Sequence, residues 1–367
     1  AAQSLMTNDR KFRTAYLHVG LGKTGTTSIQ QQLLQHADLL ESRYDLHFPR
    51  NFSHEHRFNG NHSLLLRALY PDSDAARKRL AGVGLTSPRK IERYNRKTMA
   101  QFNKGFARTS ASSLLLSAEG VGHFSAEDIR ALAGWLAGIA DEVKVLVCVR
   151  HPIDALSSEI QQRLNLGAVL EDLYQSPPFY RFRSLFTRLE SAFGHDSIIT
   201  YDFSDAVSHP GGVTAMFLSK LGIEDTAVIG RPPRKNVTMS HEAALLISAL
   251  NRQRPLLSGE RRNPRRRSDD IRQMKQIPGR KYKAPAEVYQ KVREAMLPDI
   301  EWLRDNYELE LKAPPLEDGI DPDSFSEESK DYIALTLSDY TLARYILLSP
   351  PRLAYLYAKR LLAKLPF

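Results

Sequence analysis

Between Thr14 and Val19 the chain carries a short apolar run that Gly20 stops, and from Ser28 to Leu40 apolar residues recur at Ile29, Leu33, Leu34 and Leu40. The first pattern predicts a strand and the second a helix, with a glycine loop between them. Three more apolar runs follow. Ser113 to Ser117 ends at Glu119, Val143 to Val149 ends at Arg150, and Ser197 to Tyr201 ends at Asp202. Helical spacing returns over Asp154 to Leu166 and Gly212 to Leu221. It returns again over His241 to Asn251, behind Ser240, a residue suited to cap that helix.

Apolar runs without alternation are strands covered on both faces, which is the habit of a parallel sheet flanked by helices. The expected class is therefore α/β, three-layered, with a central parallel sheet. Residues 1–310 are expected to form the main domain. Within it, 41–110 reads as a mostly helical insertion rich in His, Arg and Tyr, suited to an acceptor-binding wall, and 255–285 as a basic loop. Residues 311–367 read as a helical C-terminal extension whose last helix, 352–365, docks on the body. In open parallel sheets ligands bind beyond the carboxyl ends of the strands. The loop around Lys23, Glu119 and Arg150 should meet there.

A chain of 367 residues with 42% hydrophobic and 25% charged positions has enough apolar material for a sizeable core. No run of eighteen apolar residues occurs, and the first thirteen residues are polar and basic, so a soluble, cytoplasmic protein is expected. The opening Ala leaves room for a removed anchor. The single cysteine, Cys148, lies in an apolar run and is read as buried and inert, in keeping with a reducing compartment. Asn-x-Ser/Thr triplets at Asn51, Asn61 and Asn236 are read as chance matches.

Charge is uneven. Residues Arg261 to Lys283 hold ten Lys/Arg against Asp269 and Asp270, so that 10 − 2 = +8 of the formal +9 sits there. That segment is either a solvated loop or a patch for a polyanion or an anionic membrane surface, which would make the protein peripheral to the membrane. No nucleic acid partner is expected.

The loop Gly20-Leu21-Gly22-Lys23-Thr24-Gly25-Thr26-Thr27-Ser28 follows a strand and opens a helix. Backbone N–H groups and the helix dipole converge on an anion in that setting, while Lys23 adds a point charge and the hydroxyls add donors. A nucleoside triphosphate loop of the Walker type needs a glycine where Leu17 stands. It also needs an aspartate at a following strand end to hold magnesium, where this chain has Arg150. An arginine suits a second anionic group on the ligand. His54 and His56 around Glu55 are too sparse for a metal site, and none is expected.

Two segments carry a family resemblance. Lys23-Thr24-Gly25-Thr26-Thr27-Ser28 resembles the 5′-phosphosulfate loop of sulfotransferases that use 3′-phosphoadenosine 5′-phosphosulfate (PAPS). Val149-Arg150-His151-Pro152-Ile153-Asp154-Ala155-Leu156-Ser157-Ser158 resembles their 3′-phosphate site, in which an Arg and a Ser eight residues later share the phosphate. Residues 198–203 and 217–222 are similar to further family segments, and the likeness, strongest toward bacterial members, spans 15–225.

The resemblance implies a P-loop-like version of the three-layer fold, PAPS as co-substrate, and sulfuryl transfer without a metal to a hydroxyl or an amine. The implied acceptor is a carbohydrate or a lipid-linked glycan. It implies donor binding by Lys23, Thr24, Gly25, Thr26, Thr27, Ser28, Arg150 and Ser158, with Arg234 and Lys235 as a late basic loop over the 3′-phosphate and adenine. Lys23 would stabilise the leaving phosphate oxygen. Glu119 is the candidate base, His62 its rival and His123 a lesser one. A nucleotide-dependent kinase and a catalytically silent anion- or glycan-binding module are the alternatives.

Overall fold

The structure is a computed structural model. It describes residues 12–50, 60–63, 66, 67, 77, 80, 81, 84–226, 229, 239–258, 261–263, 266, 268–315, 325, 326, 328, 329, 332, 333, 336 and 340. The chain divides into two compact units interleaved along the sequence. The first comprises residues 1–155, 179–235 and 291–315, the second 156–178, 236–290 and 316–367. No helix among the described residues is long and apolar enough to cross a membrane.

The first unit is built on a five-stranded parallel sheet in the order β2-β3-β1-β4-β5. Its strands are β1 (Phe12–His18), β2 (Leu46–His47), β3 (Ser113–Ser117), β4 (Ala140–Val149) and β5 (Ile198–Asp202). β1 is central. Leu17 is in register with Leu116 on one side and with Val145 on the other, and Val149 lies opposite Asp202. Every residue of β3 and the last five of β4 are buried, which is why these strands read as unbroken apolar runs.

Helices cover both faces of the sheet. α1 (Thr26–Gln35) and α2 (Ala37–Tyr44) follow β1, and α3 (Pro88–Arg108) precedes β3. Residues of α1 and α2 form one buried cluster with Leu115, Leu146, Cys148, Tyr201 and Phe217. α4 (Ala126–Ile139) and α7 (Phe182–Phe193) pack on each other and against β4. Ser125 caps α4 by accepting the Asp128 amide, and the face of Ile129, Leu132 and Leu136 is buried. Truncating a side chain such as Leu33 or Leu132 to Ala would cost about 2–5 kcal/mol of stability.

The single helix expected over Ser28 to Leu40 is instead two, because His36 leaves helical geometry at φ −107°, ψ 18°. β2 is two residues long, too short to leave a periodic signal. The described part of 41–110 is dominated by the 21-residue α3.

α5 (Pro152–Asn165) starts in the first unit and ends in the second. The second unit also contains α6 (Leu170–Gln175), α10 (His241–Gln253), the antiparallel pair of β6 (Leu257–Ser258) and β7 (Arg261–Arg262), and α11 (Ser268–Met274). The first unit includes in addition α8 (Phe203–Ser208) and α9 (Gly212–Ser219), and α12 (Ala286–Tyr307) contributes to both. Ser240 caps α10 as expected, accepting the Ala243 amide. Asn251 of α10 donates from Nδ2 to the carbonyls of Leu164 and Ala168. Residues 341–367, with the last helix expected at 352–365, lie outside the described residues.

Candidate active site

The strand order locates the site before any side chain is considered. From β1 the chain leaves toward β2 and β3, and from β4 it leaves toward β5, so the connections diverge at the carboxyl ends of β1 and β4. Such a switch point opens a crevice. The Lys23 loop leaves β1 there and Arg150 leaves β4.

The loop is shaped by three residues. Gly20 must be glycine, since a Cβ there would lie 2.4 Å from Thr26 Cγ2 and 2.9 Å from Glu119 Cγ. Lys23 takes a left-handed φ of 64° and Gly25 one of 76°, so the chain turns sharply before α1 begins. Thr24 is buried and its hydroxyl donates to the Leu21 carbonyl over 2.7 Å, bracing the turn. α1 then starts with no side-chain cap and no acidic residue in its first turn. Its leading amides, from Thr26, Thr27 and Ser28, present the positive end of the helix dipole. Thr27 is exposed and Ser28 half-buried.

Arg150 closes the loop from the β4 side. Its Nη1 donates to the Lys23 carbonyl at 2.9 Å, Nε to Asp154 Oδ2 at 2.5 Å and Nη2 to the Asp154 carbonyl at 3.0 Å. The guanidinium carbon lies 4.8 Å from the centre of the Phe203 ring. Three directions of contact fix the plane of the guanidinium.

Glu119 lies on the opposite flank. It begins a short 3-10 turn, Glu119–His123, directly after β3. Its Oε1 accepts the Thr26 hydroxyl at 2.6 Å, so the carboxylate is tied to the first residue of α1. Ser63 and Arg67 hold this turn: the Gly120 amide donates to Ser63 Oγ at 2.8 Å and Arg67 Nη2 donates to the Gly120 carbonyl at 3.0 Å. Thr26 thus joins the carboxylate to the same loop that Lys23 joins to the arginine.

His62 lies below this surface, fully buried. Its Nδ1 accepts the Ser117 amide at 3.0 Å and its Nε2 donates to the Pro49 carbonyl at 3.1 Å, so its ring lone pair is occupied. Burial, the largest influence, holds the imidazole down at about 4. Beside it Gln30 Nε2 donates to Ser117 Oγ at 3.0 Å, and Ser117 Oγ lies 2.9 Å from His18 Nδ1. His18 is likewise buried, held at about 4, and its Nε2 has no hydrogen-bond partner among the described residues. Cys148 is buried in the core cluster, where desolvation pushes its thiol up.

The structure therefore brings Lys23, Thr24, Gly25, Thr26, Thr27, Ser28, Arg150 and Glu119 to one strand-end cluster and sets His62 behind it. Ser158 lies on α5 in the second unit. Arg234 and Lys235 lie outside the described residues, as do His54, Glu55 and His56. Among the described residues no group of three or more His, Cys, Asp or Glu could hold a metal ion.

Four contacts were not anticipated from the sequence. Asp154 on Arg150 had a readable signal in its i, i+4 spacing. Phe203 under the guanidinium had none. The Tyr180 hydroxyl accepts the Gly22 amide at 2.9 Å, and the Tyr180 ring stacks on exposed His123 with centroids 5.9 Å apart. Its 158-residue separation from Gly22 hides that contact from any local pattern.

No protein-family model matches the chain, and no curated protein does. Among solved structures, a sulfotransferase from Alicyclobacillus acidocaldarius is similar at 15% identity and a TM-score of 0.36, over 65% of this chain and 92% of that one. The sulfotransferase domain from the curacin biosynthetic pathway is similar at 12% identity and a TM-score of 0.38, over 78% of this chain and 98% of that one. Likenesses this distant carry no argument about activity, which rests on the residues.

Proposed function

We propose that the chain is a sulfotransferase that moves the sulfuryl group of PAPS to a hydroxyl, or as a second choice an amine, of a carbohydrate or lipid-linked glycan. One observation carries the reading: Arg150, at the neighbouring strand end, donates to the Lys23 carbonyl in the loop that leads into the uncapped N-terminus of α1. Two anion-binding elements set side by side suit a ligand with two separate phosphate groups.

The residues fit such a ligand. The glycine loop lets a phosphate approach the amides of α1, and Arg150 offers a planar, oriented guanidinium to a second anionic group. PAPS, when bound, supplies an activated sulfuryl group whose departure leaves negative charge on a phosphate oxygen. Lys23 and the first amides of α1 place positive charge where that oxygen would lie, and such placement lowers the barrier only if it is fixed beforehand. Glu119 is positioned by Thr26 and takes the proton of the acceptor hydroxyl. His62 serves as a positioning residue at the end of β3, since acting as a base would break its bond to the Ser117 amide. Ser158, Arg234 and Lys235 remain donor-binding candidates through the family resemblance.

Calorimetric titration with adenosine 3′,5′-bisphosphate in the absence of magnesium tests the proposal. Saturable binding is expected. Binding of ATP with magnesium, together with indifference to the bisphosphate, would move the assignment to a kinase.

A further inference from the structure

α3 has a second chemistry on its outer face. Seven of its 21 residues are Lys or Arg and one, Glu92, is acidic. All seven cations, from Arg89 to Arg108, are exposed. At about 100° per residue they fall within roughly 120° of the helix circumference, and at about 1.5 Å per residue they extend over about 28 Å. The two other positions in that arc are Ala100 and Ala107, both exposed. The opposite face is occupied: Phe106 packs edge-on against Phe12 with centroids 5.0 Å apart, and Phe102 lies 5.9 Å from Trp135.

We propose that this flat basic rail docks an acidic polysaccharide, a linear polymer bearing carboxylate or sulfate groups. Charge density and shape call for an extended polyanion, and the residue types narrow its class. A helix that lies in a membrane interface needs apolar side chains free to enter the lipid, whereas Met99, Phe102 and Phe106 are buried in the protein. A single-stranded nucleic acid binder stacks bases on aromatic side chains, and the rail carries none. Glu92 pairs with Arg96 at 3.0 Å on one edge and leaves the central positions, Arg93, Lys97 and Lys104, facing outward.

That this polymer is also the acceptor of transfer rests on the function proposed above; its binding to the rail does not. The test uses the full chain, fluorescent dextran sulfate and polygalacturonate fragments, neutral dextran, and a series of salt concentrations, with no sulfuryl donor present. Arg93→Glu, Lys97→Glu and Lys104→Glu are combined in one variant. A control carries Arg130→Glu, Arg183→Glu and Lys291→Glu, which change the net charge equally at other exposed sites. We expect the rail variant to bind both acidic polymers at least tenfold more weakly, with the slope of log affinity against log salt reduced by roughly three. The control should lose less than threefold, and neutral dextran should not bind. Equal losses in the two variants, or no loss in the rail variant, overturn the proposal. So does tighter binding of the parent to vesicles containing anionic phospholipid, or to single-stranded DNA, than to the polysaccharides. Unchanged affinity of the rail variant for adenosine 3′,5′-bisphosphate separates failure of the rail from failure of the donor site.

Discussion

Arg150 at the end of β4 donates from Nη1 to the main-chain carbonyl of Lys23, 2.9 Å away in the loop after β1. Two parallel strands, neighbours in the sheet but more than a hundred residues apart in sequence, are thereby locked at their carboxyl ends. Lys23 holds a left-handed φ of 64°, a conformation that costs a non-glycine residue free energy. The arginine contact helps to offset that cost and couples the direction of the guanidinium to the shape of the glycine loop.

Replacing Arg150 by Lys should therefore be damaging although it keeps the charge. An ammonium cannot reach Lys23 and Asp154 together while presenting a planar fork to a ligand. We expect affinity for adenosine 3′,5′-bisphosphate to fall about tenfold to a hundredfold, in line with about 1.5–3 kcal/mol for a charged hydrogen bond. Lys23→Ala should behave in the opposite way, with bisphosphate affinity within a few-fold of the parent and turnover lowered by at least about a hundredfold. Calorimetry and single-turnover rates on the two variants separate these roles.

Asp154→Asn tests what the carboxylate contributes beside the arginine. The amide oxygen can still accept the Nε–H, and the Asp154 backbone carbonyl still accepts Nη2, so the orientation should survive. Removal of the negative charge should then raise bisphosphate affinity a few-fold at low salt, an advantage that fades as salt screens it. Asp154→Ala removes the acceptor as well and should weaken binding. If both variants lost affinity equally, the carboxylate would matter for its charge rather than for its reach.

The sheet was legible because its strands are buried on both faces and carry no competing period: four of the five appear as apolar runs, and β2, with two residues, does not. The loop was legible because glycine, lysine and hydroxyl residues at that spacing have few other uses between a strand and a helix. His36, which divides α1 from α2, leaves no mark, since nothing in its side chain dictates a break. The pairing of Glu119 with Thr26 and of Tyr180 with Gly22 spans 93 and 158 residues, and only strand order brings such positions together. His62 shows what residue type alone leaves out: imidazole next to a candidate site suggests a base, while the fold engages its nitrogens with the Ser117 amide and the Pro49 carbonyl.

Glu119→Gln is the decisive substitution for proton transfer. The amide oxygen can keep accepting the Thr26 hydroxyl, so the flank of the loop should remain in place. Loss of the base should reduce kcat by about a hundredfold to ten-thousandfold while bisphosphate affinity and thermal stability stay near those of the parent. Retained turnover in Glu119→Gln would falsify the assignment of Glu119 and return attention to other groups. A parallel loss of bisphosphate binding would mean instead that the carboxylate is structural.

The two buried imidazoles predict an acid-sensitive fold. Burial holds His18 and His62 at about 4, against 6.5 for an exposed ring. Between those values the unfolded chain binds protons that the folded chain does not, so stability is full above pH 6.5 and falls as the pH drops toward 4. Near pH 5 each ring adds a slope of about 1.4 kcal/mol per pH unit. His62→Gln should lower stability at pH 7 by about 1–3 kcal/mol, because the Ser117 amide loses its acceptor geometry. It should also remove one ring's share of the slope. Urea unfolding followed by circular dichroism at pH 7, 6 and 5 measures both quantities, and an unchanged slope in the variant would show that His62 does not titrate as a buried neutral ring.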